Sequence, residues 1–336
     1  MDFKTNIFCH SPKELTTDAF LVWIIYFLDS REEYKTYKQS FFNGLLLKKE
    51  DSDKYVENIS LVRQENRVDV LLHFTFAGET TSNTILFEDK TWSMPHDGQL
   101  DIYKKYYPDC YRYIYFKLAY LNSEENNIIT EAGYELLDAN MMSLALNPIV
   151  KLHPLIEMYK DYIDNTFCKP INSYHSELFE KHNYNILWDA EAQKYLCDEI
   201  LNRMIQQNVH ILKIRNGSSY GRPWTQIDIA EKKDGYCEWL FWRVDIRSGK
   251  FYIRLNQYSD PLDSQIDYKN KRRDILREAM NKLVLHGSGC ISGSLTDAKK
   301  ETEIAIFYFE DNDFDKLLDK IPSFTKEIVK VFNSLQ

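Results

Sequence analysis

One stretch, residues 67–90, constrains the fold of this chain more than any other. It contains two apolar segments, 68–76 and 84–88, each with the composition and length of a β-strand. Between them, residues 77–83 are rich in Gly, Ser, Thr and Asn, which is typical of a hairpin connection. The stretch therefore predicts two adjacent strands near the centre of a sheet.

Acidic residues interrupt this hairpin at positions where buried strands usually carry apolar side chains. Asp69 lies in the first strand, Glu88 ends the second, and Lys90 follows two residues later. Because strand side chains alternate between two faces, Glu88 and Lys90 are predicted to share one face and Asp89 to take the other. Two carboxylates can hold a hard cation such as Mg²⁺, and an ammonium can orient water or offset negative charge. The alternative is a half-buried hairpin whose acids simply pair with lysines.

A helix is predicted upstream of the hairpin, from Ser11 to Leu28. Ser11 as N-cap, Pro12 in the first turn and Glu14 at the third position form a capping box, which gives Glu14 a structural role. The apolar run from Ala19 is about half the length that a membrane span needs. We therefore expect this helix to be buried against the sheet.

A second helix is predicted downstream, beginning at Gln99. Gln99 and Tyr103 are four residues apart, so their side chains lie one turn apart on one helix face. The alternative is that Gln99 caps the helix and Tyr103 packs in the core. The apolar strand predicted next, over 111–121, would run parallel to the second hairpin strand through a right-handed crossover.

Together these motifs resemble the PD-(D/E)XK nuclease superfamily, whose pattern is an apolar-flanked Asp, a hairpin and then Glu-x-Lys. Glu14–Leu21 matches a Glu-Leu-x-x-Asp-Ala-Phe-Leu helix of one branch, and Gln99–Tyr103 matches its Gln-Leu-x-x-Tyr helix. The chain departs from the pattern at Val68, where the name of the superfamily has Pro. The resemblance implies an α/β fold with a restriction-endonuclease-like mixed central sheet flanked by helices.

The resemblance also implies an activity, namely metal-dependent hydrolysis of phosphodiester bonds in DNA, in the setting of restriction or phage defence. The implied ligands of Mg²⁺ or Mn²⁺ are Asp69, Glu88 and Glu14, and the implied catalytic residues are Lys90, Gln99 and Tyr103. One alternative is a non-catalytic binding protein on a nuclease-like fold. Another is a sensor-effector whose second half controls the nuclease.

The later part of the chain divides into a helical stretch and a second domain. Ile128–Ile129 predicts a short strand, and helices are predicted over 134–146 and 148–165. The pair Lys169–Pro170 interrupts the pattern, so we predict a nuclease-like domain over 1–168 and an α+β domain over 169–336. The second domain is predicted to contain a helix over 190–206, an antiparallel meander over 210–255, a basic helix over 266–285, a strand over 302–309 and a closing helix over 313–335.

The net charge of −9 means that a nucleic-acid ligand would need a local basic surface, or a protein partner or second copy that supplies one. Four residues are candidate nucleic-acid contacts. Arg222 lies in a glycine-punctuated loop, 216–225, and Lys269, Arg272 and Arg273 lie on the basic helix. The alternatives are a tight connection between two strands and a merely solvated helix. Six scattered cysteines without a C-x-x-C motif predict reduced thiols, and with no membrane span expected we predict a cytoplasmic protein.

Overall fold

The computed structural model describes residues 5–10, 13–232, 238–259, 266–287, 289–298 and 300–335. The chain divides into two compact units, Met1–Asn172 and Ser173–Gln336. The capping residues predicted at Ser11 and Pro12 lie outside the described residues. Among the described helices, none combines the length and apolar character that a membrane crossing requires.

The first unit contains a five-stranded mixed sheet whose strand order follows the chain. The strands are β1 (Val56–Glu65), β2 (Val68–Phe76), β3 (Ser82–Lys90), β4 (Arg112–Lys117) and β5 (Glu135–Asp138). Strands β1, β2 and β3 pair antiparallel, whereas β3–β4 and β4–β5 pair parallel. The predicted hairpin and the predicted parallel crossover after it are both present, and the mixed α/β class is confirmed.

Helices cover both faces of this sheet. They are α1 (Lys13–Asp29), α2 (Lys35–Leu45), α3 (Gln99–Tyr106), α4 (Ser123–Glu131), α5 (Ala139–Leu146) and α6 (Pro154–Ile163). On one face, Ile24 of α1 and Phe42 of α2 pack in a core with Phe87 of β3. On the other face, Leu86 of β3 packs with Leu100 of α3. The alternation of β3 side chains between these cores places Glu88 on the α3 face and Asp89 on the α1 face.

Three secondary-structure predictions in this region are wrong. Ile128–Ile129 lies in α4, whose N-terminus is fixed by the Asn122 side chain accepting a hydrogen bond from Glu125 N. The strand is instead β5, and the helix predicted from Tyr134 begins only at Ala139. The helix predicted over 148–165 begins only at Pro154, six residues after its predicted start.

The helical pattern, which was predicted to break at Lys169–Pro170, continues through this pair. The pair lies at the start of α7 (Lys169–His175), and further helical structure extends to Glu180. A π-helical turn, Asp164–Cys168, lies directly before the pair. This turn already departs from the regular hydrogen-bond ladder that a proline would otherwise break.

The second unit contains a five-stranded antiparallel sheet, so the predicted antiparallel meander is confirmed. Its strands are β6 (Lys213–Ser219), β7 (Arg222–Lys232), β8 (Glu238–Arg247), β9 (Lys250–Ser259) and β10 (Glu301–Tyr308), and its helices include α8 (Ala190–Gln206), α9 (Ile266–Gly287) and α10 (Phe314–Ser334). One face packs on α10, where Trp242 Nε1 donates to Thr325 Oγ1 at 2.8 Å. The opposite face carries charged side chains of β8, β9 and β10.

The glycine-punctuated loop predicted over 216–225 is almost entirely strand. Strands β6 and β7 are joined by a two-residue turn, Tyr220–Gly221, with φ of 51° and 75°. Positive φ at both positions is typical of a type I′ turn, whose twist matches that of paired strands. The tight strand connection, the structural alternative for this segment, is therefore correct.

Candidate active site

The predicted acidic pair lies where β2 begins and β3 ends. Val70 pairs with Phe87, so the next position in the register sets Asp69 opposite Glu88. Asp69 Oδ2 accepts a hydrogen bond from Asp89 N at 2.8 Å, which holds the carboxylate against β3. Lys90 Nζ lies 2.5 Å from Glu88 Oε1. The structure thus brings two carboxylates and one ammonium together on the α3 face of the sheet.

Helix α3 adds Gln99 and Tyr103 to this group. Gln99 Nε2 donates to Glu88 Oε1 at 2.7 Å and lies 2.7 Å from the Tyr103 hydroxyl. The other end of the amide accepts a hydrogen bond from His96 N at 3.0 Å, which directs Nε2 towards Glu88. The Tyr103 hydroxyl donates to Arg67 O at 2.8 Å. A continuous hydrogen-bonded chain therefore joins Glu88, through α3, to the start of β2.

Glu14, the third implied ligand, lies at the edge of this group. It is half-buried, and its Oε1 accepts a hydrogen bond from Ser93 Oγ at 2.9 Å. Its negative charge raises the pKa values of Asp18 and Asp89. Glu14 is therefore close enough to act electrostatically on the acidic cluster, while its hydrogen bond is to the loop after β3.

The electrostatic state of Glu88 is unusual for a carboxylate. Its side chain is 1% exposed, and burial, reinforced by the nearby negative charge of Asp69, raises its pKa to about 8. The Lys90 ammonium opposes this shift without cancelling it. Glu88 Oε2 has no hydrogen-bond partner among the described residues. Without a cation, Glu88 is therefore mostly protonated at neutral pH.

Two further buried acids lie beside Asp69 and Glu88, and neither belongs to the implied set of metal ligands. Asp18 of α1 and Asp89 of β3 are each 2% exposed. Burial, followed by the charge of Asp69, raises the pKa of Asp18 to about 7, although Arg63 lies 4.0 Å away. Burial and the charge of Asp18 raise the pKa of Asp89, whose two carboxyl oxygens have no partner among the described residues. Strand alternation already placed Asp89 on this face, and Asp18 lies within the matched helix motif.

The donor chemistry of this cluster fits a hard divalent cation. Among the described residues, no three His, Cys, Asp or Glu side chains are arranged as a ready-made metal site. However, Asp69 and Glu88 are adjacent carboxylates, and Glu88 retains an unpartnered buried oxygen. Oxygen donors of this kind are the preferred ligands of Mg²⁺, and a bound cation would relieve their mutual repulsion. Asp69 and Glu88 are the residues that would hold it.

An open groove of about 530 Å³ has Gln99 and Tyr103 in its wall, and Gln99 is the residue that joins it to Glu88. The exposed side chains of Arg67 and His96 also line it. A guanidinium can bind phosphate oxygens in a two-pronged geometry. The groove therefore places one exposed guanidinium beside Gln99 and Tyr103, the two residues that link it to Glu88.

The predicted nucleic-acid contacts do not form one exposed surface. Lys269 and Arg272 are 2% and 4% exposed, and Arg272 pairs with Glu238 at 2.9 Å. Arg273 lies 3.3 Å from Asp297, whereas Arg222 is exposed at the start of β7. These basic side chains of α9 are thus largely buried or paired with acids within the second unit. Of the four predicted contacts, Arg222 and the exposed part of Arg273 are accessible to a phosphate.

No family model, curated protein or solved structure matches this chain. What the fold and the site define is a mixed α/β protein in which a buried acidic pair, a lysine and a glutamine converge at the end of a central strand. Any assignment of activity therefore depends on the chemistry of these side chains.

Proposed function

We propose that this protein is a metal-dependent nuclease of the PD-(D/E)XK type that hydrolyses phosphodiester bonds in DNA. The observation that carries the proposal is the buried Glu88, paired with the half-buried Asp69 beside Lys90, with an unpartnered oxygen and a pKa of about 8 on Glu88. Strongly perturbed carboxylates next to an open groove are typical of functional sites. A purely structural pair would have its polar atoms satisfied.

Each side chain has a role that its contacts support. A bound Mg²⁺ would stabilise the charge of the transition state and lower the pKa of a coordinated water. The Lys90 ammonium is positioned to orient the attacking water and to offset developing negative charge. Gln99 fixes the Glu88 carboxylate through its 2.7 Å hydrogen bond, and Tyr103 supports Gln99. Glu14 is proposed as a further ligand because its charge already acts on this cluster.

The sheet supports the same proposal. An antiparallel hairpin carries Asp69, Glu88 and Lys90, and parallel strands β4 and β5 follow it with helices on both faces. A mixed central sheet with helices on both faces is what the resemblance implies. The second candidate, a non-catalytic binding protein on this fold, is favoured by the net charge of −9 and by the burial of Lys269 and Arg272.

A cleavage assay separates these two candidates. The purified chain is incubated with supercoiled plasmid in MgCl₂, in MnCl₂ and in EDTA, together with the variants Glu88→Gln and Asp69→Asn. We expect metal-dependent nicking or linearisation, and a loss on the order of 10³-fold in both variants. Glu79→Gln is the matched control, because this acid lies in the exposed connection between β2 and β3. Intact plasmid with the wild-type chain, or normal cleavage by Glu88→Gln, would refute the proposal.

A further inference from the structure

The charged face of the second sheet contains two adjoining open cavities. Their volumes are about 380 and 350 Å³, and both are lined by Arg243 and Glu301. Each volume lies in the range of small-molecule sites, which bind their ligands through apolar walls and a few placed polar groups. The two cavities differ in chemistry, because one is lined mainly by charged side chains, whereas the other combines four aromatic rings with four charged side chains and Gln226.

The charged cavity has an excess of positive groups. Its lining includes four arginines and three carboxylates, namely Arg222, Arg243, Arg247, Arg254, Asp245, Glu301 and Glu303. Glu303, which is 1% exposed, accepts hydrogen bonds from Arg247, from Arg254 at 3.2 Å and from Thr296 N at 2.8 Å. Arg254 also donates to Asp245 at 3.1 Å. Arg247 and Arg254 are therefore committed to carboxylates within the sheet.

Among the described residues, the other two arginines are paired with carboxylates less closely or not at all. Arg243 lies directly opposite Arg254 in the β8–β9 register, and its nearest carboxylate oxygens, on Asp245 and Glu301, are 3.5 and 3.6 Å away. Its Nε has no hydrogen-bond partner among the described residues. Burial and the charge of Arg254 lower the pKa of Arg243, and the charges of Asp245 and Glu301 oppose this shift without cancelling it. An anion would supply the missing partner.

Arg222, unlike Arg243, is exposed at the rim of the same cavity. Across the part of the chain that the structure describes, its guanidinium has no ion pair or hydrogen bond. The turn residue Tyr220, next but one in the chain, also lines the cavity and is fully exposed. A ligand anion could therefore be held between a buried guanidinium and an exposed one.

The second cavity is suited to a flat ring. Trp224, Trp239 and Tyr258 line it, and the ring centroids of Trp239 and Tyr258 are 5.4 Å apart. The Arg243 guanidinium lies over the Trp224 ring, 4.4 Å from its centroid, at the junction of the two cavities. Gln226 Nε2 donates to Asp228 Oδ1 at 2.7 Å, and both residues line the floor with polar groups. Aromatic walls with a polar edge match the stacking and hydrogen bonding of a nucleobase.

We propose that the two cavities together bind a nucleotide, with its phosphate at Arg222 and Arg243 and its base among Trp224, Trp239 and Tyr258. Two sources present this chemistry, a free nucleoside monophosphate and an unpaired nucleotide of a single strand. The site uses only residues of the second unit. It is therefore independent of the nuclease proposal, and binding can be measured with metal removed.

The first test is calorimetric titration of the full-length chain in EDTA. The probes are the four deoxynucleoside 5′-monophosphates, their nucleosides and inorganic phosphate. We expect at least one monophosphate to bind about tenfold or more tightly than both its nucleoside and phosphate, because each hydrogen bond to a charged group contributes about one such factor. Absence of binding by all four monophosphates, or equal binding by inorganic phosphate, would overturn the proposal.

Variants then locate the site. Arg243→Gln and Arg222→Gln should weaken monophosphate binding about tenfold and leave nucleoside binding unchanged, whereas Trp239→Leu should weaken both. Arg203→Gln is the control, because this arginine of α8 pairs with Asp319 and does not line either cavity. Since Arg222 is exposed, its variant retains the fold even if Arg243→Gln does not. Unchanged affinity in Arg222→Gln would contradict the assignment.

A last arm distinguishes the two sources of the ligand. A 5′-phosphorylated single-stranded oligonucleotide is titrated under the same conditions. Binding tighter than that of the monophosphate, and lost in Arg222→Gln, would identify the end of a strand as the ligand. Binding no tighter than that of the monophosphate would identify the free nucleotide.

Discussion

Two buried lysine–glutamate pairs lie on adjacent strands of the first sheet, and they differ in almost everything except burial. Lys90 of β3 pairs with Glu88, with 2.5 Å between Nζ and Oε1. Lys117 of β4 pairs with Glu125 of α4, with 2.8 Å between the same atoms. Lys90 and Lys117 are direct neighbours in the parallel register. The same strand ends thus carry one lysine–glutamate pair each.

The difference lies in how completely each pair is satisfied. Glu125 also accepts from the Tyr115 hydroxyl at 2.6 Å, and Lys117 also donates to Ser93 O at 2.7 Å. Within the described part of the chain, neither member of that pair has an unpartnered buried atom. Glu88 has such an atom and faces the like charge of Asp69. Buried charge alone therefore does not indicate function; buried charge without compensation does.

The largest effect on stability is expected when each of the two lysines is replaced in turn. Lys117→Met leaves Glu125 as an isolated buried charge, so we expect a loss of about 3–5 kcal/mol in the free energy of unfolding. Lys90→Met should change stability by only about 1 kcal/mol, because Glu88 can become fully protonated and keep its bond from Gln99. Urea unfolding of both variants gives the two values.

The same Lys90→Met variant should lose plasmid cleavage while binding Mg²⁺ as well as the wild type or better. The ammonium repels the cation, so its removal does not weaken the carboxylate ligands. Metal affinity is measured by calorimetry. If Lys90→Met unfolds as readily as Lys117→Met, or loses Mg²⁺ binding, then Lys90 holds the structure together and does not act on water.

The pH dependence of the free energy of unfolding should reflect the buried environment of Glu88. Its pKa rises from the ordinary value of 4.5 to about 8 on folding, so between these values the folded chain holds a proton that the unfolded chain has released. The contribution to stability is complete below pH 4.5 and is lost as pH rises through 8. In metal-free buffer we expect the free energy of unfolding to fall by on the order of 4 kcal/mol between pH 5 and pH 8.5.

Glu88→Gln is the matched variant, and it should reduce this slope, leaving the part that Asp18 and Asp89 contribute in the same direction. Added Mg²⁺ should stabilise the wild-type chain most at the alkaline end, where Glu88 is ionised. Thermal unfolding at each pH measures both effects. A stability that rises over this range in the wild type would contradict the assigned environment of Glu88.

The smallest expected effect comes from the support of Glu88. Tyr103→Phe removes a hydroxyl that contacts Gln99 and donates to Arg67 O. We expect a loss of about 1 kcal/mol in stability and about a tenfold or smaller loss in cleavage rate. Tyr107→Phe is the control on the same segment, since its hydroxyl bonds to Glu65 and not to the acidic group. Equal rates in the two variants would show that Tyr103 does not position the site.

The sequence predicted the parts of this site that follow from short-range geometry. Strand alternation placed Glu88 and Lys90 on one face, and helical spacing placed Gln99 and Tyr103 one turn apart. Both rules depend only on residues within a few positions of one another. By contrast, the Lys117–Glu125 pair and the Asp18–Asp89 pair join residues on different elements. Their proximity depends on how helices pack on the sheet, which local patterns do not contain.

The wrong predictions have the same origin. Ile128–Ile129 is an apolar β-branched pair, but Asn122 and two acidic residues in the first turn initiate a helix there. The basic residues of α9 were expected in solvent, yet Glu238 and Asp297 draw Arg272, Arg273 and Arg277 into ion pairs. In both cases a partner or cap outweighed the composition of the segment itself.

The strand order of the two sheets has a consequence for how the chain folds. In each sheet, every strand pairs with the strand that precedes it in sequence. A strand leaving the ribosome can therefore add to an edge that already exists, since domains generally fold from the N-terminus as they are synthesised. Asp69 and Glu88 lie in a hairpin whose two strands precede Gln99 and Tyr103 in the sequence, so this pair can form before α3 packs against it. The short separations within β1–β3 and within β6–β9 also favour rapid folding, because little loop entropy is lost before contacts form, whereas α9 lies between β9 and β10.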